Sequence, residues 1–550
     1  MKTKNALIII SIAYMVLVMI NIFTSFPLER GDNYFNIISA KGIIKYNLKP
    51  FGDFDIFYHK SDVTLNHPPL YNYILAFLSD IFKNPIALNV FGLFFILAAG
   101  IFLIKILRLI FKDISDQTII IVYSLFLFTP LIIQASYLID LDVVLPFIML
   151  LFVYFYLKNP NKIFVNSLLL MLIWFAKIQG VPVIILSLFL YLFLTKKTKK
   201  DYLNTFLIVL IGSFMFFVII FLYGSLLNVD MGKMFVHSSI VDTIKKQISD
   251  LGKTTLTSIW EIKQLVIWLI PSTVLLYFLG IIKYIKDKML KEHDKLLLPI
   301  LISIITLFEL IPIGTYGWNF PKYYVVFVPF MLLSIIPVIK EIKLEKKDIY
   351  KILILFFIIT LYFLLIIDPY MPEVSEAFTK KDYFQLASKV LFNFDLIMLP
   401  IIFIFIFYKG WKKERFYKIL LISSMIIFMS VNIMQLTKPY STNNLYGDSI
   451  DDLKDTINYL KTNMNSTDKA LLFDHVGYYS GNSDNTNWYN SMLCYNSESC
   501  MTNIINNSEV KFMQFYPKDL ERLNGKLKEI IEKNFKNDRQ FGDYIIYRRK

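Results

Sequence analysis

Two cysteines, Cys494 and Cys500, are all that 550 residues contain. So few exclude a disulfide scaffold or a thiolate metal site as the device that organises the chain. The polar C-terminal stretch has no Gly-rich phosphate loop and no catalytic-triad spacing, and no internal repeat of the kind that marks many secondary transporters runs through the rest. The first apolar segment, residues 6–26, lacks a small-residue cleavage site and outruns a signal-peptide core, so it reads as a retained anchor. A formal net charge of +14 would suit nucleic acid if it sat on one polar domain. The Lys and Arg instead come in short runs between apolar segments, which is a topology signal and argues against a nucleic-acid partner.

What the chain has in excess is apolar surface. Hydrophobic residues make up 56% of it, and the mean hydropathy of +0.54 marks an integral membrane protein. A helix needs about 20 apolar residues to cross a bilayer. That ruler predicts spans near residues 6–26, 86–110, 118–136, 142–157, 163–178, 180–195, 203–224, 264–283, 296–314, 322–339, 350–367, 394–408 and 417–435. The expected fold class is therefore mainly α, a polytopic bundle of about thirteen transmembrane helices.

Lys and Arg gather on alternate connections, as they do on a cytoplasmic face. Lys2 and Lys4, then Lys105, Arg108 and Lys112, then Lys158 and Lys162, then Lys196, Lys197, Lys199 and Lys200 share one side with the runs at 283–295, 340–351 and 409–418. The N-terminus is then cytoplasmic. Residues 28–83, 228–263 and 368–395 face outward, and an odd number of spans sends everything from Thr437 outward too.

At that point the long apolar runs stop and Asn, Asp and Ser become frequent. The reading is a membrane domain over 1–436 and a small extracytoplasmic α/β domain over 437–550. Ser449 and Asp452 form a capping-box pattern ahead of a helix carrying Ile450, Leu453, Ile457 and Leu460. Strands are predicted at 470–473, 510–515 and 544–547, and a helix at 518–535. Cys494 and Cys500 fall in an oxidising compartment, where a local bridge is slightly favoured over two separate thiols.

The most informative outward stretch is the first loop, residues 28–85. Residues 28–83 of it carry five aspartates and two histidines, far more than a simple connection needs. Asp32 precedes a mixed helical pattern and reads either as its N-cap or as a catalytic carboxylate. After His67-Pro68-Pro69, the apolar positions Leu70, Tyr73, Ile74, Phe77, Leu78 and Ile81 recur at helical spacing, which predicts an amphipathic helix lying at the membrane surface.

Charge near a bilayer is expensive, so each ionisable group close to a span asks for a reason. Asp140 and Asp142 sit in ASYLIDLDVVLPF, Lys177 in WFAKIQGVP, and Lys322 with Tyr323 in GWNFPKYYVVFVP. Singly, each has an ordinary reading as a cap, a snorkelling cation or an interfacial anchor. Together with Asp32 and His67 they are all expected at one outer membrane level.

The first-loop aspartate with Tyr34 soon after it, the HPPLY run at 67–71 and the aspartate opening the fourth span resemble polyprenyl-phosphate-sugar-dependent glycosyltransferases of the GT-C superfamily. The pattern is most similar to the protein O-mannosyltransferase and lipid A aminoarabinose transferase branch. Ala176-Lys177 with Gly180 resembles that branch's Thr-Lys and Gly element, and Lys322-Tyr323 with Pro329 its Arg-Tyr and Pro element. The resemblance implies transfer of a sugar from a polyprenyl-phosphate donor to a protein, lipid or glycan acceptor at the outer face. It implies Asp32 as general base, with His67, Asp140, Asp142, Lys177, Lys322 and Tyr323 around the substrates. A divalent cation is the one cofactor the pattern admits, and Asn33 weakens it by standing where the family often has Glu. Lys322 keeps the charge of the family's Arg but loses its bidentate fork. The rival readings are a transporter or flippase of lipid-linked sugars and a non-catalytic envelope assembly protein.

Overall fold

The computed structural model describes residues 3–25, 32–45, 47–48, 51–55, 60–63, 69–81, 88–137, 139–227, 269, 271–287, 289, 293–314, 321–340, 342, 344–365, 413–437, 450–465, 468–472, 476–477, 480, 502, 505–506, 509–523 and 525–550. In chain order, α1 (Thr3–Ser25) and α2 (Asp32–Lys45) precede an antiparallel hairpin of β1 (Phe51–Asp55) and β2 (Lys60–Val63), then α3 (Leu70–Ile81). There follow α4 (Phe91–Ile110), α5 (Asp116–Phe128), α6 (Pro130–Tyr137), α7 (Val144–Lys158), α8 (Ile163–Ala176), α9 (Gly180–Leu194) and α10 (Lys199–Leu227). Next are α11 (Pro271–Lys286), α12 (Leu297–Gly314), α13 (Phe327–Ser334), α14 (Ile336–Ile339), α15 (Lys346–Leu365) and α16 (Lys413–Thr437).

Helix occupies every predicted span except 394–408, which lies outside the described residues. Among the described residues, Thr3–Phe23, Phe91–Ile110, Leu141–Lys158, Lys199–Leu226 and Phe416–Ile433 are each long and apolar enough to cross a membrane alone. Helices α5 and α6 would make a sixth span if counted together, bent by 55° at their junction. Pro130 accounts for the bend, because it has no N–H to donate and its ring crowds the preceding turn. Helices α8 and α9, at 14 and 15 residues, are apolar but short, so the full count of thirteen is not established by helix length.

Contacts divide the chain into two units. The first gathers Met1–Asn21, Asn66–Tyr71 and Val90–Pro439 and is helical; the second gathers Ile22–Leu65, Asn72–Asn89 and Tyr440–Lys550.

Within the first unit, α10 shows how helices sort their faces. Thr205, Ile208, Phe216 and Ile220 are buried, while Leu203, Phe206, Leu210, Phe214, Phe217 and Phe221 are exposed. An exposed face that apolar belongs in lipid. The buried face is built for close approach: a Cβ on Gly212 would stand 2.7 Å from the Ser167 carbonyl oxygen of α8. Small residues let helix backbones approach, and hydroxyls then bridge them. Tyr14 bonds Ser136, Tyr156 lies 2.9 Å from Thr205, Ser272 lies 2.9 Å from Ser424, and Trp174 donates to Ser213 at 3.1 Å.

In the second unit, α17 (Ile450–Asn463), β3 (Lys469–Leu471), β4 (Val510–Phe515), α18 (Pro517–Arg522), α19 (Gly525–Asn534), β5 (Phe535–Phe541) and β6 (Tyr544–Arg549) follow in that order. The sheet runs β3-β4-β6-β5, with β3 parallel to β4 and the other pairs antiparallel. Leu453, Ile457 and Leu460 bury the predicted face of α17. Two expectations change. The helix foreseen at 518–535 is two helices, and its last residue opens the strand β5. That strand, FKNDRQF, has apolar side chains only at its ends, so side-chain pattern could not reveal it; pairing with β6 supplies its backbone partners. The α3 helix forms where expected, burying Tyr71, Leu75 and Ala76, while Phe77 and Ile81 of its apolar stripe stay 67% and 54% exposed. Ser449, Cys494 and Cys500 lie outside the described residues.

Gly280 of α11 tests the close-packing argument. A Cβ there would come within 2.2 Å of the Ser334 carbonyl oxygen, a backbone atom at the end of α13 that cannot swing aside. Gly280→Ala should cost about 1–3 kcal/mol of stability, measured as a lower melting midpoint of the detergent-solubilised protein. An unchanged midpoint would refute the approach.

Candidate functional site

Lys177 owes its position to a break in helix. The α8 helix ends at Ala176, and Lys177 takes an extended conformation with φ −162° and ψ 124°. Its N–H still reaches the Ile173 carbonyl at 2.9 Å, and its own carbonyl accepts from Gly180 N–H at 3.1 Å as α9 begins. Gly180 leaves the space that the end of the Leu145 side chain of α7 occupies, 2.8 Å from where a Cβ would stand. The helix–break–helix path thus carries the ammonium into the first unit's interior, where Lys177 is 7% exposed.

There it meets Asp142. The chain leaves α6, passes Asp140 and enters a single 3-10 turn, Leu141–Val143, before α7. Asp140 caps that turn, its Oδ1 accepting from the Asp142 N–H at 3.1 Å. Asp142, 6% exposed, then forms a buried ion pair with Lys177 through Oδ1. On the other side the Lys177 Nζ lies 4.5 Å from the Tyr323 ring centroid. Tyr323 belongs to a 3-10 turn, Pro321–Val326, that leads into α13. The ammonium therefore has a carboxylate on one side and an aromatic face on the other.

These groups open on a cavity of about 100 Å³, lined by Asp142, Lys177, Gln179, Thr306, Glu309 and Tyr323 together with Leu145, Met149 and Val183. By volume it has room for several waters, which need about 10–15 Å³ each by the same measure. Three of its polar atoms, Gln179 Oε1, Thr306 Oγ1 and Glu309 Oε1, are buried without a hydrogen-bond partner among the described residues. Unpaired buried acceptors cost about 1–3 kcal/mol each, so these atoms call for donors within the cavity, from water or from a bound molecule. Glu309 of α12 also lies within electrostatic range of Lys177.

Of the residues singled out from sequence, the structure brings together Asp140, Asp142, Lys177 and Tyr323. Lys322 lies on the same turn as Tyr323, its side chain outside the described residues, and His67 is outside them altogether. Asp32 opens α2 in the second unit, and its side chain too is outside the description. Gln179, Thr306 and Glu309 were missed. Glu309 had a signal: it is the one charged residue in LLPILISIITLFELIPIG, and a carboxylate in such a run needs a reason. Among the described residues no three His, Cys, Asp or Glu side chains gather as a metal site. The donor set at Asp142 does not suit a divalent cation either, since an ammonium already holds its Oδ1.

No family model and no curated protein matches this chain. Solved structures do. ArnT from Cupriavidus metallidurans bound to undecaprenyl phosphate superposes with a TM-score of 0.58 at 9% identity, over 98% of this chain and 97% of that one. The same protein in its apo state gives 0.53 at 10% identity, over 100% and 98%. The chain has the fold of ArnT. ArnT is an aminoarabinose transferase of the GT-C family, so the resemblance read from the short motifs extends to the fold of the whole chain. Its apolar helices and the ArnT fold together make this a multi-pass membrane protein. At about a tenth identity, what ArnT shares with this chain is architecture.

Removing one member of a buried ion pair strands the other. Lys177→Met should therefore cost about 3–5 kcal/mol, whereas Lys177→Met combined with Asp142→Leu should recover most of the loss. Melting of the two variants in detergent checks this, and equal losses in both would mean the pair is not buried as described.

Proposed function

We propose that this chain is a membrane glycosyltransferase that moves a sugar from a polyprenyl-phosphate donor to an acceptor at the outer membrane face. The observation that carries the reading is the buried Lys177–Asp142 pair opening on a cavity lined by further polar groups, Gln179, Thr306 and Glu309. The chain's fold is one that, in ArnT, is found bound to undecaprenyl phosphate. The orientation proposed is the one the cation distribution favours: thirteen spans, the N-terminus cytoplasmic and the C-terminal α/β domain extracytoplasmic.

In the transfer, the bond between the sugar's anomeric carbon and the phosphate oxygen breaks as the acceptor's nucleophilic atom bonds to that carbon. The acceptor's proton passes to a carboxylate, a role assigned to Asp32. Negative charge grows on the departing polyprenyl phosphate, and its stabilisation is the role assigned to Lys177 and Lys322. Asp142 and the Tyr323 face hold the Lys177 ammonium in readiness, and Asp140 holds Asp142 by capping its turn. His67 shapes the first loop or contacts phosphate. Gln179, Thr306 and Glu309 accept from hydroxyl or other donor groups of the bound sugar. The acceptor is a protein, lipid or glycan, and the sugar is a hexose or pentose.

Purified protein incubated with labelled polyprenyl-phosphate sugars should release polyprenyl phosphate and glycosylate an acceptor; a flippase or an assembly protein would do neither. Asp32→Asn should lower turnover by about 10²–10⁴-fold, with the protein still inserted in the membrane. Turnover within threefold of wild type would remove Asp32 from the base role.

A further inference from the structure

At the other end of the first unit's helices lies a second, larger cavity, of about 670 Å³. The α7 helix starts at the Asp142 turn, whereas this cavity collects the connections at the far ends of other helices: the α4–α5 connection, the residues before α12, and the end of α14. It is lined by residues 109–115, His293, Asp294, Lys295 and Lys340. Three ammoniums from three separate connections, Lys112, Lys295 and Lys340, thus face one concavity. None of them forms an ion pair with a described carboxylate. Asp294 has its carboxylate engaged by Lys197 at 2.6 Å, which among the described residues leaves Asp113 as the one other carboxylate on the wall. The Phe111 ring anchors the wall, with the His293 ring 4.6 Å from it and the Lys340 Nζ 5.8 Å from its centroid.

Topology alone asks for cations on this side but not for their convergence on a hollow. Like charges gathered there repel one another, and an anion between them turns that repulsion into attraction. Leu109, Ile110 and Ile114 give the same hollow an apolar wall, which a free anion does not use and a lipid does. We propose that Lys112, Lys295 and Lys340 bind the phosphate of an anionic phospholipid headgroup, with its glycerol against the apolar wall. On the orientation proposed above this is the cytoplasmic leaflet, where anionic headgroups meet basic pockets between helices.

The test is melting of the full-length detergent-solubilised protein with dihexanoyl phosphatidylglycerol, dihexanoyl phosphatidylcholine or inorganic phosphate. The expected result is a saturable rise in midpoint with phosphatidylglycerol, weakened by salt and absent with phosphatidylcholine. Lys295→Gln with Lys340→Gln should weaken the apparent affinity at least tenfold, and Lys533→Gln, which removes an exposed cation of α19 that lines neither cavity, should leave it unchanged. Native mass spectrometry of the single variants Lys112→Gln, Lys295→Gln and Lys340→Gln should show fewer bound phosphatidylglycerols than wild type, which covers a double variant that fails to fold. An equal rise with inorganic phosphate at equal concentration would overturn the lipid assignment. Undiminished phosphatidylglycerol binding in the variants of Lys112, Lys295 and Lys340, or its loss in Lys533→Gln, would overturn the site.

Discussion

An ammonium and a carboxylate that are both out of water must find each other, and the Lys177–Asp142 pair is where this protein's helical unit meets that demand. Around it the chain gives up regular helix twice. The α8–α9 path breaks at Lys177, and the α6–α7 path passes through a 3-10 turn capped by Asp140. Irregular backbone at membrane depth is tolerated where it lines a cavity in the protein rather than lipid, and both breaks border the same hollow. The pair is costly as a stabilising device, since well-packed apolar residues would serve as well.

The rest of the unit keeps that pair dry. Apolar stripes such as the one on α10 face outward, and the opposite faces close tightly because glycines admit neighbouring backbones. Hydroxyl bridges between helices, among them Tyr156 to Thr205 and Ser272 to Ser424, satisfy polar groups that would otherwise be stranded in an apolar medium. The charges around the two cavities come from helix ends and connections, and Glu309 from within α12. One end pairs its buried cation with a carboxylate beside an aromatic face, while the other leaves three cations around a broader hollow. The two ends ask for different partners: a group that competes with Asp142 for one ammonium, and an anion large enough to satisfy several.

Much of this was legible in the order of residues. Long apolar runs placed helices on every predicted span within the described residues, because burying a helix in lipid requires a run of fixed length whatever its neighbours. The expense of charge near a span picked out Asp140, Asp142, Lys177 and Tyr323's segment before any geometry was known, and α17 and α3 followed from their 3.6-residue periodicity. The strand β5 was not legible, because its partner β6 rather than its own side chains makes it a strand.

Sequence alone, then, determined that this is a membrane protein, where its helices run and which charges needed a reason. The tertiary structure decided which of those charges share a cavity: Asp140 caps, Asp142 pairs with Lys177, and Glu309, with Gln179 and Thr306, completes the wall. The division has a physical cause. Hydropathy and helical period are local properties of a chain, whereas an ion pair between residues 35 positions apart, and a carboxylate brought in from α12, depend on how separate helices pack.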